Sequence, residues 1–210
     1  MKPKNTDSEK YQLHKREAVR AAATVFSAKG FHGASTSDIA EQLGIKQGSL
    51  YYYFASKEEA LEEVCLYGLE TYTKNMDVIA HDTGQPFEAR LFAVVTNHLT
   101  SYRDKSEALK VHNNERLYLP EARRVRLKAM GSKYRRQLES IIEHGIEEGA
   151  VSATLDAHFA AQSVIGICNS LGEHIVRETD VDVFDLVRKC TGLLLHGMSS
   201  EQEVGRQHAS

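Results

Sequence analysis

Proline is nearly absent from this chain, at 3 residues in 210, and no apolar run approaches the ~20 residues that a membrane-spanning helix needs. The polar opening from Met1 to Lys10 has no apolar stretch of the kind a secretory signal carries. Both shortages argue against the membrane as a partner and predict a cytoplasmic protein. Cysteine is scarce as well. Cys65, Cys168 and Cys190 stand far apart, form no C-x-x-C pair and have no histidines at ligand spacing, which removes a disulfide framework and a zinc site and leaves small buried apolar side chains. No G-x-S-x-G, H-E-x-x-H, phosphate-loop or dinucleotide fingerprint occurs, so neither an enzyme nor a cofactor is expected.

What is abundant favours helix. Apolar residues make up 41% of the chain, and Leu, Ala, Glu, Lys and Arg recur throughout. The fold class implied is all-α, about nine helices, with a small N-terminal three-helix domain over residues 1–56 and a larger helical domain over 57–198. The polar, aperiodic stretch 199–210 reads as a disordered tail.

The first periodic segment runs from Tyr11 to Lys29, with Ala18, Ala22, Val25 and Phe26 on one stripe and Gly30 as its stop. Ser35 to Asp38 supply capping groups before Ile39, Ala40 and Leu43, and Gly44 ends this second helix. A third spans Lys46 to Phe54, and Ser56 caps a fourth beginning at Lys57. Leu91, Val94, His98 and Tyr102 mark helix five. Pro120 opens helix seven, which runs to Glu148-Gly149, and helices eight and nine cover roughly 156–177 and 182–198.

Ala40 to Phe54 meets several separate demands of a helix-turn-helix. Ala40 is small where two helices cross, Gly44 tolerates a left-handed turn, and Ile45 and Leu50 pin the second helix to the core. Residues Gly33 to Ala40 and Gly44 to Lys57 resemble the N-terminal signature of the TetR family of transcriptional regulators. The resemblance covers about residues 11–60, and beyond it the chain is similar only in helix count and order. It implies helices one to three as the DNA-binding domain, helices four to seven around a ligand cavity, and homodimerisation through helices eight and nine. It also implies that Thr36, Ser37, Lys46, Gln47, Gly48 and Ser49 face double-stranded DNA, a near-palindromic operator.

The side-chain chemistry agrees. Gln47 has the paired donor and acceptor that reads adenine, Gly48 permits close backbone approach, and Lys46 and Ser49 suit base or phosphate contacts. Tyr51, Tyr52 and Tyr53 combine rings with phosphate-binding hydroxyls, although Tyr53 stands where the family often has histidine. Lys57 sits at a helix N-terminus, itself a place for an anion. The plainer alternatives are packing for the tyrosines, solvation for the lysines and capping for Thr36.

Net charge is only −3, but residues 1–60 hold nine Lys/Arg against seven Asp/Glu, a net of +2 that leaves −5 for the rest. DNA needs no more than a local cationic face. Between Lys110 and Arg136 nine basic residues, among them Arg116, Arg123, Arg124 and Lys128, face only Glu115 and Glu121. They are either a solvated face of helix seven or the mouth of a pocket for an anionic small-molecule effector. The segment Asn113 to Glu121, with Tyr134 and Glu147 to Gly149, is similar to family members that respond to acyl-CoA thioesters. The basic cluster and the apolar faces of helices five and seven then suggest an acyl part among Leu91, Val94, Met130 and Tyr134, and phosphates on a subset of Arg116, Arg123, Arg124 and Lys128. His98, Tyr102, Tyr134 and Asn169 are polar groups on apolar faces, suited either to orienting a ligand or to satisfied core contacts. The expected function is a ligand-responsive repressor. The alternative, a helical ligand- or protein-binding module that no longer reads DNA, predicts damaged groove-facing positions, and here they are intact.

Overall fold

The computed structural model describes residues 5–178 and 180–198, and all of their regular elements are helical. The expected tail at 199–210 lies outside the described residues. The elements are α1 (Asn5–Gly33), α2 (Thr36–Leu43), α3 (Gln47–Leu50), α4 (Lys57–His81), α5 (Phe87–Asp104), α6 (Ser106–Glu115), a 3-10 turn (Arg116–Tyr118), α7 (Glu121–Glu147), α8 (Ala157–Arg177) and α9 (Val183–His196). No described helix is long and apolar enough to cross a membrane.

The chain forms two compact units. The first takes the described residues up to Lys74 together with Ser101–Tyr134. Its core gathers Phe26, Ile39, Leu50, Leu61 and Val64, each 2% exposed or less. Burying side chains of this size contributes roughly 1.5–3 kcal/mol each. Three of these five come from α1, α2 and α3, which is how a four-residue α3 is held: Leu50 is its one buried side chain.

Local chemistry sets the boundaries of α2. Ser35 Oγ accepts from the Asp38 N–H at 3.1 Å while Asp38 Oδ2 accepts from the Ser35 N–H at 2.7 Å, a reciprocal cap. Lys29 Nζ at 2.6 Å and these Ser35 bonds pull the Asp38 carboxyl down to about 2. At the other end Gly44 adopts φ 71°, and the Gly44 and Ile45 N–H groups donate to the Glu41 and Ala40 carbonyls, each at 3.0 Å. The expected stop at Gly30 is a kink with φ 68° and ψ 167°, after which the chain coils on for one more turn. The third helix is shorter than expected, because after Leu50 the chain continues as turns, with Tyr52 N–H donating to Ser49 O and Tyr53 N–H to Leu50 O.

The second unit takes Asn75–Thr100 and the described residues from Arg135 onward. Leu91, Val94, Leu138, Ile141, Cys168 and Cys190 are among its buried residues. Asp156 and Asp182 cap α8 and α9 by accepting from the N–H groups of Phe159 and of Phe184 and Asp185. A Cβ on Gly145 would stand 2.5 Å from the Phe87 ring, so glycine there allows α5 and α7 to meet.

Candidate functional site

The starts of α2 and α3 share one exposed surface. Ser37, Lys46, Gln47, Gly48 and Ser49 are exposed and Thr36 is half-buried. The Gln47 side-chain amide donates to Thr36 Oγ1 at 3.1 Å, which ties the two helix starts together. Gly48 is informative. A Cβ there would meet nothing within 4 Å, so no neighbour within the fold requires glycine. Glycine costs up to about 1 kcal/mol against alanine in a helix, and the open space above it faces outward from the exposed end of α3.

The tyrosine run divides by role. Tyr51 and Tyr52 are 54% and 69% exposed, whereas Tyr53 is half-buried against the core. Tyr11 of α1 packs edge-on against Tyr52 at 5.3 Å and stacks on Tyr53 at 6.2 Å. Lys15 donates to the Tyr53 carbonyl. Sequence reasoning missed Tyr11 as a support for this surface, since a lone aromatic at a helix start carries no sign of its distant partner.

Lys57 works inward. Its ammonium donates to the Phe31 and Ala34 carbonyls at 2.8 and 2.9 Å and lies 4.4 Å over the Phe31 ring, bracing the link from α1 to α2. These bonds occupy two of its three N–H groups. A reciprocal pair caps α4: Glu59 N–H donates to Ser56 Oγ, and Glu59 Oε2 accepts from Ala55 N–H.

The residues expected around a ligand fall in both units. In the second, Leu91 and Val94 are buried, and Leu91 lines an apolar cavity of about 350 Å³ with Phe87, Val151, Phe159, Val164 and Leu194. His98 is 1% exposed, with Nε2 3.1 Å from Asn169 Oδ1. Burial pushes its imidazole down to about 4, so it is neutral at pH 7 and donates Nε2–H to that oxygen.

In the first unit, Tyr102 is buried and its hydroxyl accepts from the Asn113 amide at 3.1 Å. Tyr134 meets Tyr72 edge-on at 5.0 Å, and burial pushes the Tyr72 phenol upward. Met130 packs on the core. Six of the nine basic residues divide by what they meet. Arg123 and Arg126 pair with Glu62 at 2.8 and 3.8 Å, and Lys110 donates to the Ser27 carbonyl on α1. Arg116, Arg124 and Lys128 instead line a second cavity, joined by His112 and Gly131, which the sequence did not single out. The usable signal was a glycine in the interior of a 27-residue helix.

Comparison with known proteins accords with this geometry. Residues 18–64 match the family model for bacterial regulatory proteins of the tetR family, and residues 84–198 match that for a Tetracyclin repressor-like C-terminal domain. The HTH-type transcriptional repressor KstR2 of Rhodococcus jostii is 27% identical over 146 residues, 69% of this chain and 71% of that protein. The fatty acid metabolism regulator protein of Bacillus subtilis is 23% identical over 186 residues, 88% of this chain and 95% of its own. Among solved structures, the regulator FadR from Bacillus subtilis in complex with stearoyl-CoA superposes with a TM-score of 0.75 at 22% identity, over 88% of this chain and 99% of that one.

Proposed function

The chain belongs to the TetR family of bacterial regulatory proteins, and on that premise we propose that it is a homodimeric repressor, released from a near-palindromic operator by a small amphiphile with an anionic head. The observation that carries DNA reading is Gly48, exposed on α3 between exposed Gln47 and Ser49 with nothing of its own chain to accommodate. A residue kept small at some expense of helix stability, where the fold does not need it small, makes room for something outside the chain. The groups beside it are the donors and acceptors that base edges and phosphates take. Tyr51 and Tyr52 add exposed rings with hydroxyls, and Lys57 fixes the approach of α1 to α2.

An acyl-CoA thioester is the effector we favour. Its support is the basic cavity of the first unit, together with the similarity to the B. subtilis regulator that is named for fatty acid metabolism and whose FadR structure was solved with stearoyl-CoA. Such an effector must prefer the state whose recognition helices are misplaced for DNA, because equal affinity for both states shifts nothing.

The proposed dimer face is α8 and α9. Phe159, Phe184 and Leu193 are 67%, 67% and 45% exposed there. Gly166 and Gly192 have open space where a Cβ would stand, which suits the close approach of a second copy.

The test pairs two substitutions in titrations against the selected operator and its single-base variants. Gly48→Ala should leave the unfolding midpoint equal or higher and weaken operator binding about tenfold, as a methyl group forced into a tight contact costs ~1–3 kcal/mol. Gln47→Ala should lose discrimination at particular base pairs, about 1–3 kcal/mol at each. Unchanged operator affinity in Gly48→Ala, with sequence-independent losses in Gln47→Ala, would remove α3 as the reading element.

A further inference from the structure

The basic cavity of the first unit has features that its fold does not use. It encloses about 240 Å³ between α6, the 3-10 turn and α7. Ligand pockets that take whole drug-sized molecules run to roughly 300–1,000 Å³, so this one suits a head group. Its polar wall is His112, Arg116, Arg124 and Lys128. His112 Nδ1 and Arg124 Nε are buried without a hydrogen-bond partner, and leaving such atoms unmet costs roughly 1–3 kcal/mol each.

Among the described residues no carboxylate lies within 4 Å of Arg116 or Arg124. The Arg116 guanidinium is anchored by the His112 and Asn113 carbonyls, which fixes its position and leaves its charge uncompensated. Among the described residues Lys128 pairs with Glu121 alone, at 3.1 Å, and both side chains are mostly exposed, where such a pair is worth little. Burial and the neighbouring Arg116 hold the His112 imidazole down at about 4, so it is neutral at pH 7 and the cavity's charge there comes from two guanidiniums and an ammonium.

Gly131 completes the lining. A Cβ on it would meet nothing within 4 Å, although it lies inside a 27-residue helix where glycine is disfavoured by about 1 kcal/mol. As at Gly48, the space is not filled by the chain itself.

Residues next to this wall, on α6 and the 3-10 turn, hold α1. Glu115 Oε2 accepts from the Phe31 N–H at 3.1 Å, next to the Gly30 kink, and Tyr118 stacks on Phe31 at 6.2 Å and meets His32 at 4.4 Å. One turn and two turns earlier on α6, Lys110 donates to the Ser27 carbonyl and Glu107 accepts from Thr24 Oγ1. Arg116 and Leu117, which line the cavity, therefore sit between the two residues that hold the end of α1.

We propose that this cavity is a phosphate-binding site that seats the anionic head of the effector, and that α6 and the 3-10 turn report its occupancy to the α1–α2 link through Glu115 and Tyr118. Arginine forks match phosphate oxygens in a bidentate manner, and the unmet His112 and Arg124 nitrogens gain partners when a phosphate enters. This site deepens the effector reading above and rests on it, yet the two fail separately.

The experiment is calorimetric titration of the full chain with coenzyme A, with pantetheine, which lacks the phosphates, and with inorganic pyrophosphate. Wild type, Arg124→Gln and Gly131→Leu are compared, with unfolding midpoints measured alongside. Coenzyme A should bind at least about tenfold more tightly than pantetheine, and Arg124→Gln should lose about tenfold, the scale of one charge-assisted hydrogen bond. Gly131→Leu should abolish binding of coenzyme A and pyrophosphate with no fall in midpoint. Hydrogen exchange at the Phe31 amide should quicken on adding coenzyme A to wild type.

Coenzyme A binding that neither variant weakens would overturn the site and leave the thioester reading standing. Variant-sensitive pyrophosphate binding without coenzyme A binding would support the site and remove the thioester. Equal affinity for coenzyme A and pantetheine, no binding of any probe, or an unmoved Phe31 amide in the saturated protein would overturn the proposal.

Discussion

Leu193→Glu is expected to sediment as a monomer at micromolar concentration and to bind the operator at least about a hundredfold more weakly than wild type. The leucine is 45% exposed on α9, so a carboxylate there costs the folded chain little. In a twofold dimer over α8 and α9 each copy would bring its own carboxylate against the partner's apolar face. Burying unpaired like charges costs several kcal/mol, and about 1.4 kcal/mol is a factor of ten. Operator affinity falls with it, because one short recognition helix spans only a few base pairs and two must engage together. A thermal melt guards against misfolding. Dimeric sedimentation with normal operator affinity would mean that the copies meet elsewhere.

Acid should destabilise the protein between pH 6.5 and about 4. Burial lowers both His98 and His112 from 6.5 to about 4. Above pH 6.5 both are neutral whether the chain is folded or not. Between 6.5 and 4 the unfolded chain takes up protons that the folded chain refuses, so stability falls as pH falls and the loss is complete near 4. For fully buried His98 the change amounts to roughly 3 kcal/mol at its limit. Asp38 acts below this window, since the stability it gains from a carboxyl held by Lys29 and Ser35 at about 2, against an ordinary 3.8, is lost only as pH falls from about 3.8 through 2. Denaturant unfolding at pH 7.5, 5.5 and 4.5 reads the effect, and His98→Gln, which keeps a donor for Asn169, should remove about half of the slope. Stability flat from pH 7.5 to 4.5 would contradict the neutral, buried imidazoles.

The N-terminal helices were legible because their determinants are local. A cap at Ser35, a left-handed turn at Gly44 and apolar Ile39, Ala40 and Leu50 lie within sixteen residues, and each behaves in the structure as its chemistry dictates. Helix α6 was not delimited from sequence. Of its ten residues only Ala108, Leu109 and Val111 are buried, and its N-cap, Lys105, makes no side-chain capping bond. It is held instead by Thr24, Ser27 and Phe31 of α1, more than 80 positions away. The basic stretch was visible as a net charge but not as separate groups, because Glu62, which takes Arg123, is 61 residues distant. Lys57 illustrates the same limit. Its position beside the recognition helix was readable, but its hold on Phe31 and Ala34 depends on how α1 turns at Gly30.

The most direct test of sequence-specific DNA reading is selection of the duplexes that the purified chain retains from a random-sequence pool, at a salt concentration high enough to release phosphate-only contacts. The enriched sequence should be a near-palindrome whose half-sites are each met by one copy, and Gln47→Ala should blur particular positions within both halves. Recovery of unrelated sequences, all bound with the same affinity and the same salt dependence, would contradict the account.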